Sequence, residues 1–436
     1  MAEIRAFRAF RYDLGRVGSL GDVVAPPYDV IGPDLQQALY NRSPYNVIRL
    51  ILNKETPADK EADNRYTRAA RHLRDWQQEG ILKQDSARAL YVYHQEFEAE
   101  GRRFTRRGFL ARVRLEPFGQ GKIFPHEETM PGPKADRLKL FHATGMNLSP
   151  VFGLYPDEEG AVQGRLDAAV GRAVPLEATD HLGVVNWLWP VTDQQVVSAV
   201  TGLLGPLPVF IADGHHRYET GLRYLDDRRR AGEVRDAEAA ASFILMMLVS
   251  MSDPGLVILP THRLVSGIPD LDGERLRALL AGHFQVERVG RGEQGACDTW
   301  ELIQADGGQN VLGFGTVTDD AWQLARFTAP AVMAELAPNH GEAWRGLGVS
   351  ILHVLVLGRL IPQQLGGRPE CRYVHLLREV TGAVANRECG LAVLVPPAAM
   401  RDVERIAGGL EKMPPKSTYF YPKLLSGLVL NSLKAN

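Results

Sequence analysis

Asp213, Gly214, His215, His216 and Arg217 follow directly on the apolar run Val209, Phe210, Ile211 and Ala212. A carboxylate, two imidazoles and a guanidinium set this close can bind an anion, hold a metal ion or move a proton. The apolar run reads as a short buried strand, and Asp213-Gly214 as the turn that stops it. A helical pattern then runs to about residue 230, with Tyr218, Leu222 and Leu225 on one face and Arg223, Asp227 and Arg230 towards water. The polar residues therefore sit at the C-terminal end of a strand and in the first turn of a helix. Free N–H groups and the positive end of the helix dipole face outward there, so an anion is welcome. Glycine lets the backbone approach that anion closely. A phosphate site is the leading expectation, with Gly214, His215, His216 and Arg217 as its ligands. The bland reading, with Asp213 as an N-cap and the histidines as surface residues, explains such a run less well.

A second stretch, 123–137, holds His126, Glu127, Asp136 and Arg137 among three prolines and a glycine. These rule out regular structure and predict an ordered loop that enters a helix at about residue 134. Glu127 offers a base and Arg137 a phosphate clamp, while Glu128 and Lys139 read as solvated charges. Asn147 and Ser149, just before a strand at 151–155, read as a substrate-binding edge or as a turn. Thr220, further along the 213–220 segment, is a further substrate-binding candidate.

The elements that must position these groups follow from periodicity. Residues 45–52 alternate into an apolar strand, and 59–80 into a long amphipathic helix ended by Gly80. Residues 89–97 and 102–115 predict two antiparallel strands joined at Glu100-Gly101, with one face in water. A helix capped by Asp193, a buried strand over 242–250 and one or two helices in 341–365 complete the outline. The fold class this predicts is α+β, with a mixed sheet carrying the 213–220 loop and large insertions around it. Three regions are expected: 1–120, an N-terminal α/β region; 121–265, carrying the loop; and 266–436, a C-terminal α/β region. These limits are soft, and a single intertwined unit is the alternative.

Composition excludes several classes. The 436 residues are 45% hydrophobic and 23% charged, with a formal charge of −2, ordinary values for a globular protein. There is no electrostatic case for nucleic acid or an anionic membrane. Cys297, Cys371 and Cys389 are too few and too scattered for a disulfide framework or a zinc site. Cys371 and His375 have helical spacing but no further partner. The first residues show no signal-peptide pattern, and the most apolar runs, 243–249 and 351–357, are too short to span a bilayer. The expectation is a cytoplasmic protein.

Asp-Gly-His-His-Arg-Tyr at 213–218 resembles the phosphate-binding signature of the free serine kinases of the ParB/sulfiredoxin superfamily, which carry Asp-Gly-His-His-Arg after a strand and phosphorylate serine itself. The whole chain resembles the bacterial and archaeal family known as domain of unknown function 1015. That likeness runs through Ala25-Pro26-Pro27-Tyr28-Asp29-Val30, Pro125-His126-Glu127, Asp136-Arg137, Asn147-Leu148-Ser149-Pro150 and Lys416-Ser417-Thr418-Tyr419-Phe420. It brings Tyr28 and Asp29 in as substrate-binding candidates, Lys416 and Ser417 as site residues, and the His262-Arg263 pair.

What the kinase resemblance implies is a ParB/sulfiredoxin-like strand-loop-helix in a small-molecule kinase acting on a free hydroxy amino acid, above all serine. Asp213 would bind Mg²⁺ directly or through water, and ATP, ADP or pyrophosphate would be the donor. The kinases use a glutamate N-terminal to the loop as base, and Glu127 is nominated for that role on chemistry alone. A metal-dependent phosphohydrolase is the alternative, with His126, Glu127, Asp213, His215 and His216 as ligands. So is a nucleotide-binding module without turnover. The partner is a small-molecule substrate, with neither nucleic acid nor membrane; the oligomeric state is open.

Overall fold

Long stretches of Val, Ile, Leu and Phe bounded by Gly and Pro fold as buried strands. The computed structural model describes residues 2–129 and 131–434, so Met130 of the proline-rich stretch lies outside the described residues. The chain divides into two units: Met1–Pro125, Thr129–Val257 and Pro422–Asn436 form the first, and His126–Glu128 with Ile258–Tyr421 the second. The first two regions expected from sequence fall mainly in the first unit, and the third mainly in the second.

The first unit is built on a nine-stranded sheet. In chain order its strands are β1 Ile4–Arg5, β2 Leu90–Ala99, β3 Arg102–Arg114, β4 Ile123–Phe124, β5 Val151–Tyr155, β6 Leu176–Thr179, β7 Val185–Val191, β8 Val209–Asp213 and β9 Phe243–Ser250. Across the sheet the order is β4-β8-β5-β9-β3-β2-β7-β6, with β1 on β3. β8 is parallel to β4 and β9 parallel to β5, while β8 and β5 run antiparallel, so the sheet is mixed. The α+β class with a mixed sheet core is thus borne out. Every residue of β9 is buried, as are the first four of β8, the pattern of strands covered on both faces.

The β2–β3 hairpin turns at Glu100 and Gly101, both at positive φ, 49° and 71°. Such a two-residue turn matches the right-handed twist of the strands it joins. One charge on this hairpin departs from the expected wet face: Arg106 is fully buried. Its guanidinium donates to the Pro422 carbonyl at 2.6 Å and to the Gln95 side chain, over the Phe152 ring.

Two local expectations are corrected. Residues 45–52 make no strand; Ile48–Ile51 is a helical turn. The Asn46 side chain accepts from the Ile48 N–H at 2.9 Å and donates to the Val24 carbonyl at 3.0 Å, so a local side-chain bond replaces the ladder. The helix expected from about 134 begins earlier, at Pro131–Thr144, here α1. Proline costs nothing in a first turn, where its missing N–H has no partner in any case. Cys371 lies in a strand, Glu370–Val374, so its helical spacing to His375 has no structural meaning.

The second unit carries a six-stranded sheet whose pairings are antiparallel, including His262–Ser266 and Leu391–Leu394. Buried apolar clusters cover it, one of them around the helical run that starts at Gly348. That run is π-helical over Ile351–Leu360, where the Ile361 N–H bonds the Val356 carbonyl five residues back.

Candidate functional site

β8 loses register with β5 between Ile211 and Asp213, an irregularity of the kind that re-aims a side chain at a strand end. Gly214 follows at φ +87° and caps the 16-residue helix His215–Arg230, here α2. A side chain at 214 would be strained on the backbone, and its Cβ would lie 3.0 Å from the Arg217 guanidinium. The expected strand, turn and helix are all present.

The Asp213 carboxylate is bound at both oxygens. Oδ2 accepts from Arg217 at 2.7 Å, and Oδ1 from the Lys423 ammonium at 3.0 Å. Burial opposes its ionisation, but the charges of Lys423 and Arg217 outweigh it and hold the carboxyl well below the usual carboxylate range. A carboxylate so occupied, with two cations against it, is disfavoured as a direct ligand of Mg²⁺. Among the described residues no group of three or more His, Cys, Asp or Glu side chains is placed to hold a metal ion.

Arg217 is buried, and its second nitrogen donates to the Pro150 carbonyl. These bonds to Pro150 and Asp213 anchor it in the protein. Thr220 is likewise buried, its hydroxyl donating to the His216 carbonyl at 2.6 Å. His215 is buried and His216 half-buried, so His216 is the more accessible imidazole of the first turn. Glu219 joins α2 to the start of α1 through Thr129 at 2.7 Å and Lys134 at 2.8 Å.

The Pro-Pro-Tyr-Asp and Asp-Arg stretches meet. The Arg137 guanidinium lies 3.9 Å from the centre of the Tyr28 ring, donates to the Ile51 carbonyl at 2.7 Å and pairs with Asp136. Burial and then the neighbouring Asp29 raise the Tyr28 hydroxyl above its ordinary pKa, against the opposing charges of Arg137 and Arg217. Tyr28 thus feels both arginines, while Asp29 is exposed. Asn147 is buried and accepts from the Leu245 N–H at 3.0 Å and the Asn431 amide at 2.8 Å; Ser149 bonds the Ser426 hydroxyl at 2.6 Å. These two secure the closing segment of the unit.

Glu127 and Lys416 belong to the second unit, where they meet: a Glu127 oxygen accepts the Lys416 N–H at 2.9 Å. His126 bonds the Thr418 hydroxyl at 2.8 Å, and Ser417 donates to the Pro414 carbonyl at 2.5 Å. Lys416 adopts φ +60°, and its carbonyl accepts from buried Arg263 at 2.9 Å, so its backbone is fixed while its side chain is exposed. Lys423 is the residue that sequence reasoning did not single out. It stands 210 positions from its partner, and the only local signal is a lysine after Tyr421-Pro422.

A family model described as "Protein of unknown function (DUF1015)" matches residues 4–350. No curated protein sequence matches the chain. Among solved structures it is similar to a free serine kinase in complex with AMP, at 13% identity over 70% of this chain and 89% of that one, with a TM-score of 0.33. A conserved hypothetical protein from Pyrococcus furiosus is similar at 14% identity, 69% and 90% coverage and a TM-score of 0.31. SbnI with a C-terminal truncation, from Staphylococcus aureus, follows at 9%, 73% and 86%, and 0.35. Likenesses of this size decide neither activity nor ligand.

Proposed function

We propose that this chain, which belongs to the DUF1015 family of proteins of unknown function, is a small-molecule kinase that transfers a phosphoryl group to a free hydroxy amino acid, serine first among them. The observation that carries the reading is the turn from β8 through Gly214 at φ +87° into a 16-residue helix, with Asp-Gly-His-His-Arg on it. The choice of serine rests on the resemblance of that signature to the free serine kinases.

Phosphoryl transfer needs positioning and charge neutralisation more than covalent chemistry from the protein. The first turn of α2 directs N–H groups and the positive end of its dipole at the donor's phosphates, and His215 and His216 add ring N–H groups beside them. Asp213, Arg217 and Lys423 together carry one net positive charge, which favours an anion at the same turn. Asp213 acts by fixing Arg217 and Lys423; held so acidic, it is a poor proton acceptor. The proton of the attacking hydroxyl needs another carboxylate, and Glu127 is nominated on chemistry alone.

The test is phosphorus NMR with mass spectrometry on the full-length protein with free serine. ATP, ADP and pyrophosphate are offered separately, each with Mg²⁺ as counter-ion. Phosphoserine from one donor, lost in His216→Ala and in Glu127→Gln, supports the kinase and both assignments. Intact donors sink the kinase reading, and tight nucleotide binding without turnover then favours a binding module. Hydrolysis without phosphoserine moves a phosphohydrolase ahead.

A further inference from the structure

The second unit holds a cleft of about 920 Å³ that the phosphoryl-transfer reading does not use. Its size is that of small-molecule sites. Phe327, Met333 and Leu347 supply apolar wall, and Arg345, Arg401 and Arg405 supply charge. Arg401 and Arg405 stand one turn apart on the helix Met400–Gly408, where like charges repel. Among the described residues none of the three arginines has a carboxylate partner, unlike Arg326 with Asp306 or Arg372 with Glu388. Two carboxylates also line the wall: Asp402 is occupied in accepting the Ala399 N–H at 3.0 Å, the cap of its helix, and Glu342 is exposed to solvent.

A second observation concerns the backbone. Ile351 lines the cleft and opens the π-helical run Ile351–Leu360. Wide turns of this kind are rare in helices and concentrate at functional places. Unpaired guanidiniums gathered at an apolar cleft cost energy through mutual repulsion, and a bound anion relieves it.

We infer that this cleft binds an organic anion, a carboxylate or phosphate group on an apolar body. The arginines hold the anionic group by charge-assisted hydrogen bonds, and the apolar body lies on Phe327, Met333 and Leu347. The inference is independent of the kinase reading, because none of these lining residues enters it.

The full-length protein is titrated with 8-anilinonaphthalene-1-sulfonate, an aromatic anion whose fluorescence rises in apolar surroundings. Bound dye is competed in separate arms with laurate, phenyl phosphate and dodecylamine. The expected result is displacement by laurate or by phenyl phosphate, which also says which anionic group is preferred, and little displacement by the amine. Arg401→Gln with Arg405→Gln, both exposed positions, weakens dye binding about tenfold. Ala334→Trp, which fills the cleft, abolishes it. Dye affinity unchanged in both variants, or displacement by the amine as effective as by laurate, overturns the inference.

Discussion

The Lys423 ammonium and the Asp213 carboxylate lie 3.0 Å apart, joining a residue near the end of the chain to the end of β8. Arg217 holds the other oxygen, so the carboxylate is shared between a local partner and a distant one. Lys423→Met leaves Asp213 with Arg217 alone. Both side chains of the Lys423 pair are largely but not wholly buried, between the surface and interior limits. The expected loss is about 2 kcal/mol at neutral pH, read by urea denaturation, with Lys423→Arg retaining most of it.

Gly214→Ala forces a side chain into the left-handed region and against Arg217. Denaturation should show a loss of about 1–2 kcal/mol. Nucleotide or pyrophosphate binding should weaken with it, because the first turn of α2 shifts. An Ala variant as stable as the wild type refutes the account of this turn.

His262 makes the second unit acid-sensitive. Its Nδ1 accepts the Val395 N–H at 3.2 Å, and its ring packs edge-on against Trp300. Burial first, then the Arg263 charge, pushes its pKa down from 6.5 to about 3. The unfolded chain therefore binds a proton that the folded one refuses. This stability is fully present above pH 6.5 and is lost as pH falls towards 3. His353, lowered to about 4 by burial and Arg263, acts in the same direction. A stability profile over this range should flatten on the acid side in His262→Asn, by on the order of 3 kcal/mol.

Arg137 and Tyr28 should couple. Removing the guanidinium leaves the Ile51 carbonyl without its donor and the tyrosine ring without its cation. A double-mutant cycle of Arg137→Met and Tyr28→Leu should give an interaction energy of about 1 kcal/mol. A value near zero would make the stacking incidental.

What could be read in advance was what is encoded locally. Val209 to Ile211, then Gly214, then Tyr218 and Leu225 state a buried strand, a left-handed turn and an amphipathic helix within a few residues of one another. Asp193 announced its helix in the same way, and it caps Gln195 and Val196 as expected. Residues 45–52 misled because Asn46 turns the chain through its own side chain, which hydrophobic alternation does not register. Arg217, Arg137, Asn147 and Thr220 were singled out for their chemistry, and each is engaged with its own protein through bonds to Pro150, Ile51, Leu245 and His216. Periodicity carries no information about which backbone group a polar side chain will find. The pairing of Lys423 with Asp213 is illegible in the sequence for the same reason.

The first unit's last segment has a consequence for how the protein is made. Residues 422–434 bring Lys423 to Asp213, Ser426 to Ser149 and Asn431 to Asn147. On the ribosome, β8 and α2 emerge some two hundred residues before that lysine does. Throughout that interval Asp213 lacks its Lys423 ion pair, and Asn147 and Ser149 lack the partners that later secure them. The loop can form early, but its charge balance closes only when this segment has been translated.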